Sequence, residues 1–264
     1  MNLDILSKQV IQLVKETGQF IAGEAKKIST SDIEVKGFND FVTYVDKAAE
    51  QRLISELKKM TPDAGFIVEE DQSQKTSEAY NWIIDPIDGT TNFIHAIPVY
   101  AISIALSFNG EIVLGIVYEI NSGECFHAVK GGHAFLNDQA INVSKQNQLS
   151  NGLIATGFPY NDFSLLEPYL ALFKDLMQNS RGIRRLGSAA VDLAYVACGR
   201  FDVFYEYSLK PWDVAAGAFI VQQAGGKVTD FEGKSDYVFG QQIIATNKLL
   251  HVDFINKVQT YFIS

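Results

Sequence analysis

Positive charge, cysteine and proline are all scarce in this chain of 264 residues. Lys and Arg number 22 against 31 Asp and Glu, a formal net charge of -9, and dense basic groups such as Lys58-Lys59 and Arg184-Arg185 are single pairs. An acidic surface with no basic run repels polyphosphate backbones at long range, so we expect no nucleic-acid partner. A small anionic substrate stays open if the site carries its own cations, and a bound metal supplies them. The two cysteines, Cys125 and Cys198, are too few for a disulfide framework and lack metal-ligand spacing. They read as small buried hydrophobes. No stretch approaches the roughly 20 apolar residues of a membrane span. The start, MNLDILSKQVIQLVKETGQF, is interrupted by Lys8, Lys15 and Glu16 where a signal peptide needs a continuous apolar core. We therefore expect a cytoplasmic protein with no membrane partner.

Apolar material is plentiful: 47% of residues are hydrophobic and 20% charged, enough for one large core. Leu3, Ile5, Leu6, Val10, Leu13, Val14 and Phe20 fall near helical spacing and predict an amphipathic helix from Leu3 to about Lys26. A polar loop from Ser29 to Asp40 follows, then a helix from about Val42 to Met60, stopped before Pro62. Gly65–Glu70 and Asn81–Pro86 read as strands ending in carboxylates. Asn109-Gly110 joins two β-rich runs, Ala101–Phe108 and Glu111–Ile120, as a hairpin. Beyond about Asn151, helices at Leu165–Gln178, Ser188–Ala197 and Pro211–Ala224 alternate with strands at Asp202–Tyr207 and Ile243–Thr246, before a terminal helix. The pattern implies layers of helices and sheets in one unit, residues 1–264, with an α+β half over 1–150 and an α/β half over 151–264.

The acidic residues of interest sit where apolar elements end: Glu69-Glu70 after one run, Asp85 and Asp88 after another, and Asp213 in the first turn of a helix after Pro211-Trp212. Carboxylates gathered there are poorly solvated and repel one another. Divalent cations relieve that repulsion, and hard oxygen ligands select Mg²⁺, Ca²⁺ or Mn²⁺ over zinc. In Asp85–Asn92, Pro86 stiffens the turn, Gly89 permits unusual backbone geometry, and the amides from Gly89 onward open a short helix toward a phosphate. Taken singly, an Asp-Gly is a turn, Glu69-Glu70 a solvated edge and Asp213 a helix-start residue. An EF-hand loop does not fit, because Pro86 and Ile87 break the ligand alternation and position twelve is Ala96. A haloacid dehalogenase-type site needs a nucleophilic Asp where Pro86 stands.

DPIDGTTNF (Asp85–Phe93) together with WDVAAG (Trp212–Gly217) resembles the paired signature of the inositol monophosphatase family. Lys36 with DFVTYVD (Asp40–Asp46), FIVEED (Phe66–Asp71) and RRLGSAAVDLAYVACG (Arg184–Gly199) extend the likeness over nearly the whole chain in order. The resemblance implies a layered αβαβα sandwich of the α+β class and Mg²⁺-dependent hydrolysis of a small phosphate monoester. Glu69, Asp85, the Ile87 carbonyl and Thr90 would surround a first metal, and Asp85, Asp88 and Asp213 a second, with a third near Glu69. Gly89 and Thr90 would bind the phosphate beside Asp88. Gly187, Ser188, Ala189 and Glu206 match positions that contact the alcohol, and Asp46 matches an acidic position bordering Thr90. Val68 departs from the family's usual Gly before the Glu pair, which would narrow the backbone there.

The resemblance also implies two or three Mg²⁺ per site, Mn²⁺ as a substitute, inhibition by Li⁺ and Ca²⁺, and a homodimer. The apolar hairpin Ala101–Ile120 reads equally as core or as a subunit contact. Two cations about 3.5–4 Å apart can align a water, screen the phosphoryl oxygens and stabilise the leaving alkoxide. Inositol 1-phosphate is the leading substrate, with NADP 2′-phosphate, fructose 1,6-bisphosphate and nucleotide 3′-phosphates as alternatives. Some bacterial members of the family act as accessory proteins in RNA synthesis, which is the competing expectation of another class.

Overall fold

In the computed structural model, residues 1–25, 27, 33–37, 40–160 and 162–262 are described, and the side chains of residues 33 and 35–41, Lys36 among them, lie outside that description. The first apolar stripe forms α1 (Leu3–Ala25), with Leu6, Val10, Leu13, Val14 and Ile21 facing inward. Ile5 is exposed instead, since one residue back from Leu6 the helix has turned about 100° off the stripe. The expected polar loop contains strand pairing: β1 (Ile33–Gly37) runs antiparallel to β2 (Asp40–Thr43), while residues 29–32 and 38–39 of that stretch lie outside the description.

Helix α2 (Tyr44–Met60) starts two residues later than the pattern predicts, because Thr43 caps it. The Thr43 hydroxyl accepts from the Val45 N–H at 3.1 Å, and the Asp46 carboxylate accepts from the Thr43 N–H at 2.9 Å. Next come β3 (Gly65–Val68) and β4 (Tyr80–Asp88). β4 runs two residues past Pro86, where the pattern ends it, and its register against the next strand shifts between Asp85 and Asp88. A proline fits where the ladder is already irregular.

The short helix α3 (Thr90–Ile94) leads to β5 (Ala101–Phe108) and β6 (Glu111–Glu119), the expected hairpin. It turns through Asn109 and Gly110 at φ 49° and 83°. Three strands that the sequence pattern does not announce follow: β7 (Glu124–Val129), β8 (Ala134–Leu136) and β9 (Gln139–Ile141). The remaining elements are β10 (Leu153–Thr156), α4 (Leu166–Asn179), β11 (Gly182–Arg184), α5 (Ala189–Ala197), β12 (Val203–Tyr207), α6 (Pro211–Gln223), β13 (Lys227–Thr229), β14 (Gln242–Thr246) and α7 (His251–Phe262).

These elements stack in five layers, αβαβα. Strands β3 to β9 form one sheet in sequence order, and β11-β10-β12-β14-β13 form the second. α1 and α2 cover the outer face of the first sheet, α5 and α6 lie between the sheets, and α4 and α7 cover the second. A helix between two sheets is apolar all round, and every residue of α6 from Val214 to Val221 is buried. Strands β5 and β6 are central, and seven of the eight residues of β5 are buried, so the core accounts for the hairpin's apolar character. Val68 is likewise buried in the core under α2. Cys125 is buried and Cys198 half-buried, both as free thiols; burial pushes the Cys125 thiol up to about 12. Among the described residues, no helix is long and apolar enough to cross a membrane.

Candidate active site

Strand register brings the carboxylates together. β3 and β4 are parallel with Val68 beside Ile84, so the next residue of each, Glu69 and Asp85, stand side by side where the strands part. Across the β4–β5 ladder Asp85 pairs with Ser103, whose hydroxyl donates to the Trp212 carbonyl at 2.9 Å. That bond fixes the start of α6 over the strand, with Asp213 in its first turn accepting from the Lys210 N–H at 2.7 Å. One oxygen from each of Asp85, Asp88 and Asp213 lies within 4.8 Å of the others.

The Asp85–Thr90 turn is held from inside. Asp85 Oδ1 accepts from the Ile87 N–H at 2.9 Å. The Thr90 hydroxyl lies 3.0 Å from the Ile87 carbonyl and 3.2 Å from Asp46 Oδ1, as donor to that pair. Asp46, fully buried, is anchored in turn by Thr43. Gly89 adopts φ 102°, a left-handed conformation, and a Cβ there would meet the Gly187 and Val99 carbonyls at 3.1 Å. Only glycine makes this turn without strain.

The opposite wall comes from the second sheet and α5. Asp88 Oδ2 accepts from the Ser188 hydroxyl at 2.7 Å and the Ala190 N–H at 2.6 Å, docking the turn on the start of α5. Glu206 projects from β12 against Gly157, where an added Cβ would fall 2.0–2.1 Å from its carboxylate atoms. Asp192, 1% exposed, lies one turn into α5, and its Oδ1 has no hydrogen-bond partner among the described residues. The Arg185 guanidinium lies 5.5 Å from the ring centres of both Phe158 and Tyr160 and donates to the Tyr160 hydroxyl.

The open cavity between these walls, of about 150 Å³, is lined by six carboxylates, those of Glu69, Asp85, Asp88, Asp192, Glu206 and Asp213; among the described lining residues Arg185 is the one cation. Burial raises Asp85 well above the usual carboxylate range, and Glu69, Asp88 and Asp213 push it further. Burial lifts Asp88 to about 6 against the hydrogen bonds from Ser188 and Ala190. Burial and then Asp88 lift Asp213 to about 7. Glu206 and Asp192 are raised by burial first, then chiefly by Asp213 and Glu206 respectively, with Arg185 pulling both down. Burial also raises Asp46, opposed by its bonds from Thr43.

Every residue to which the resemblance gives a role in binding or catalysis lines this cavity except Asp46, which stands behind Thr90; Glu70, the neighbour of Glu69, does not line it. Lys36 lies in β1, with its side chain outside the described residues. Gly157, Tyr160, Arg185 and Asp192 line it too, and Ser103 positions it, although none of these was singled out. Asp192 left one visible signal, a lone carboxylate in the otherwise apolar segment Ala189–Ala197. The donor set fits a hard divalent cation: three carboxylates share one locus, burial raises the proton affinity of all three with carboxylate repulsion adding to it at Asp85 and Asp213, and no sulfur or imidazole lines the cavity among the described residues.

Comparison with known proteins decides the family. The family model described as "Inositol monophosphatase family" matches residues 2–261. The chain belongs to the inositol monophosphatase family. It is 41% identical over 240 residues to the inositol-1-monophosphatase of Rhizobium meliloti (strain 1021), covering 90% of each chain. It is 40% identical to the Nus factor SuhB of Escherichia coli (strain K12), over 90% of this chain and 89% of that one. The crystal structure of extragenic suppressor protein suhB from Bartonella henselae superposes with a TM-score of 0.90 at 38% identity, covering 97% of this chain and 98% of that one. An IMPase from Thermotoga maritima gives 0.87 at 36% identity, covering 98% of each. The five-layer sandwich is the fold of these family members.

Proposed function

We propose that this chain is a Mg²⁺-dependent phosphatase of small phosphate monoesters, with inositol 1-phosphate as its leading substrate. The observation that supports this most is the meeting of Asp85, Asp88 and Asp213 within 4.8 Å in a small cavity lined by the Gly89–Thr90 turn. In this reading Glu69, Asp85, the Ile87 carbonyl, Asp88 and Asp213 hold two or three Mg²⁺ ions. Mn²⁺ substitutes, and Li⁺ and Ca²⁺ inhibit. Bound Mg²⁺ supplies positive charge against the phosphoryl oxygens and the leaving oxygen, and acidifies water.

The chain's own groups orient the reactants. The Thr90 hydroxyl, set between the Ile87 carbonyl and Asp46, aligns a water beside Glu69. Amides of Gly89 and Thr90 receive phosphate oxygens. Asp88 stays fixed by Ser188 and Ala190, so the phosphate and alcohol ends keep one spacing. Gly187, Ser188 and Ala189 border the alcohol, and Glu206 accepts from its hydroxyls.

The test is phosphate release with Mg²⁺ from inositol 1-phosphate, fructose 1,6-bisphosphate, NADP and adenosine 3′,5′-bisphosphate, each repeated with EDTA. Metal-dependent turnover supports the reading and ranks the substrates. Silence across the panel from folded, metal-loaded protein rejects it.

Relatives named Nus factors favour a second reading, an accessory role in RNA synthesis. The net charge of -9 directs that role toward a protein partner rather than nucleic acid. Retention of RNA polymerase or ribosomal proteins by folded Asp213→Asn protein supports it, and an empty pull-down counts against it. Homodimer formation, carried by family resemblance, is checked by sedimentation.

A further inference from the structure

Helix α2 sends a second buried carboxylate toward the site. Asp46, in its first turn, meets Thr90; Glu50 lies one turn further along the same helical face and is 1% exposed. Glu50 Oε2 accepts from the Glu70 N–H at 2.8 Å, and Oε1 accepts from the Asp71 N–H at 2.7 Å. Those amides stand just beyond β3, the edge strand of its sheet, where the β-ladder has ended.

The Glu70 N–H belongs to the peptide plane that begins at the Glu69 carbonyl. Holding it fixes the backbone rotation at Glu69, and so the direction in which the Glu69 side chain leaves the strand. A buried carboxylate receiving two adjacent amides is a charge-assisted clamp. A glutamine of the same shape has one acceptor oxygen and cannot receive both amides in this manner. Residues 46 and 50 are about 6 Å apart along a rigid helix. α2 therefore sets the spacing of two neighbouring segments on the same wall of the cavity: Asp46 holds the Thr90 turn, and Glu50 holds the end of β3.

We propose that Glu50 is a positioning residue that aims Glu69 into the metal cluster. The proposal rests on Glu69 being a metal ligand, as the functional reading above has it. Calorimetric titration of the full chain with Mn²⁺ tests it without reference to turnover. Glu50→Gln is expected to weaken binding by about 10–100-fold, the usual loss when the support of a ligand is removed. Leu53→Ala, fully buried on the same helix, is the control. It should lose thermal stability yet bind Mn²⁺ within about twofold of the parent.

Parent-like affinity in folded Glu50→Gln overturns the proposal. Glu69→Gln separates the two levels. Affinity lost there but kept in Glu50→Gln sinks the positioning role alone; affinity kept in both sinks the metal reading of Glu69 as well. Should Glu50→Gln fail to fold, amide exchange in the parent decides. Glu70 and Asp71 amides as protected as those of the β3 ladder support the clamp, and exchange at open-loop rates overturns it.

Discussion

At the proposed metal end of the cavity, Asp85, Ile87, Asp88, Gly89 and Thr90 lie in one run of six residues, and strand register adds Glu69 and Asp213. At the other end, proposed to face the alcohol through Glu206, Gly157, Arg185, Asp192 and Glu206 come from the neighbourhoods of four different elements and meet only because α5 lies between the two sheets. The first end is held by backbone hydrogen bonds within a turn, the second by packing and charge balance. Substitutions at the metal end should therefore strike turnover, and those at the alcohol end should strike apparent substrate affinity.

The largest expected effect is at Asp213. Asp213→Asn should lower kcat by at least about a hundredfold, since a ligand counts for no less than its outer support. Near-parental kcat would break the comparison at its firmest point. Next is the effect of metal on stability. Asp85, Asp88 and Asp213 all have folded-state values raised above 3.8, two of them to about 6 and about 7, so the metal-free folded chain holds more protons than the unfolded one. Their contribution is fully present below the unfolded value and is lost as pH rises through the folded ones. Added Mg²⁺ should therefore raise Tm more at pH ~8 than at pH ~5.5, by about 5–10 °C at a hundredfold excess over Kd. Equal gains at both pH values would show that these carboxylates do not hold the ion.

The alcohol end predicts smaller changes. Arg185→Gln removes the single cation among the described cavity-lining residues and should cost about 1.5–3 kcal/mol in kcat/KM, mostly through KM. Gly157→Ala places a methyl on the Glu206 carboxylate and should cost about 1–3 kcal/mol, again through KM. If either lowers kcat with KM unchanged, the division between the two ends fails. Asp192→Asn is expected to be mildest: relieving repulsion with Glu206 should raise Tm at pH ~8 by about 2–4 °C.

How far each end was legible follows the same division. The Asp85–Asn92 turn could be read because proline, glycine and two aspartates constrain one another within a few bonds. Asp46 was legible only by resemblance, since Thr90 lies 44 residues away. Ser103 carried no signal at all: a serine inside an apolar strand acquires its role when β5 aligns with Asp85 and α6 settles above it. Strand β4 outran its expected end because a register shift accommodates Pro86, and propensity does not report where a ladder is irregular. Strands β7 to β9 went unread for a similar reason, being short segments that depend on their neighbours for pairing.

By itself the sequence determined the family, the alternation that builds the layers, and the local turn that brings Asp85 and Asp88 together, because those depend on periodicity and on interactions between near neighbours. The tertiary structure decided which distant carboxylates join them, where Arg185 and Asp192 stand, and that Glu50 receives the amides beyond β3. These are long-range matters, set by strand register and by how α2, α5 and α6 pack, and no local run of residues encodes them.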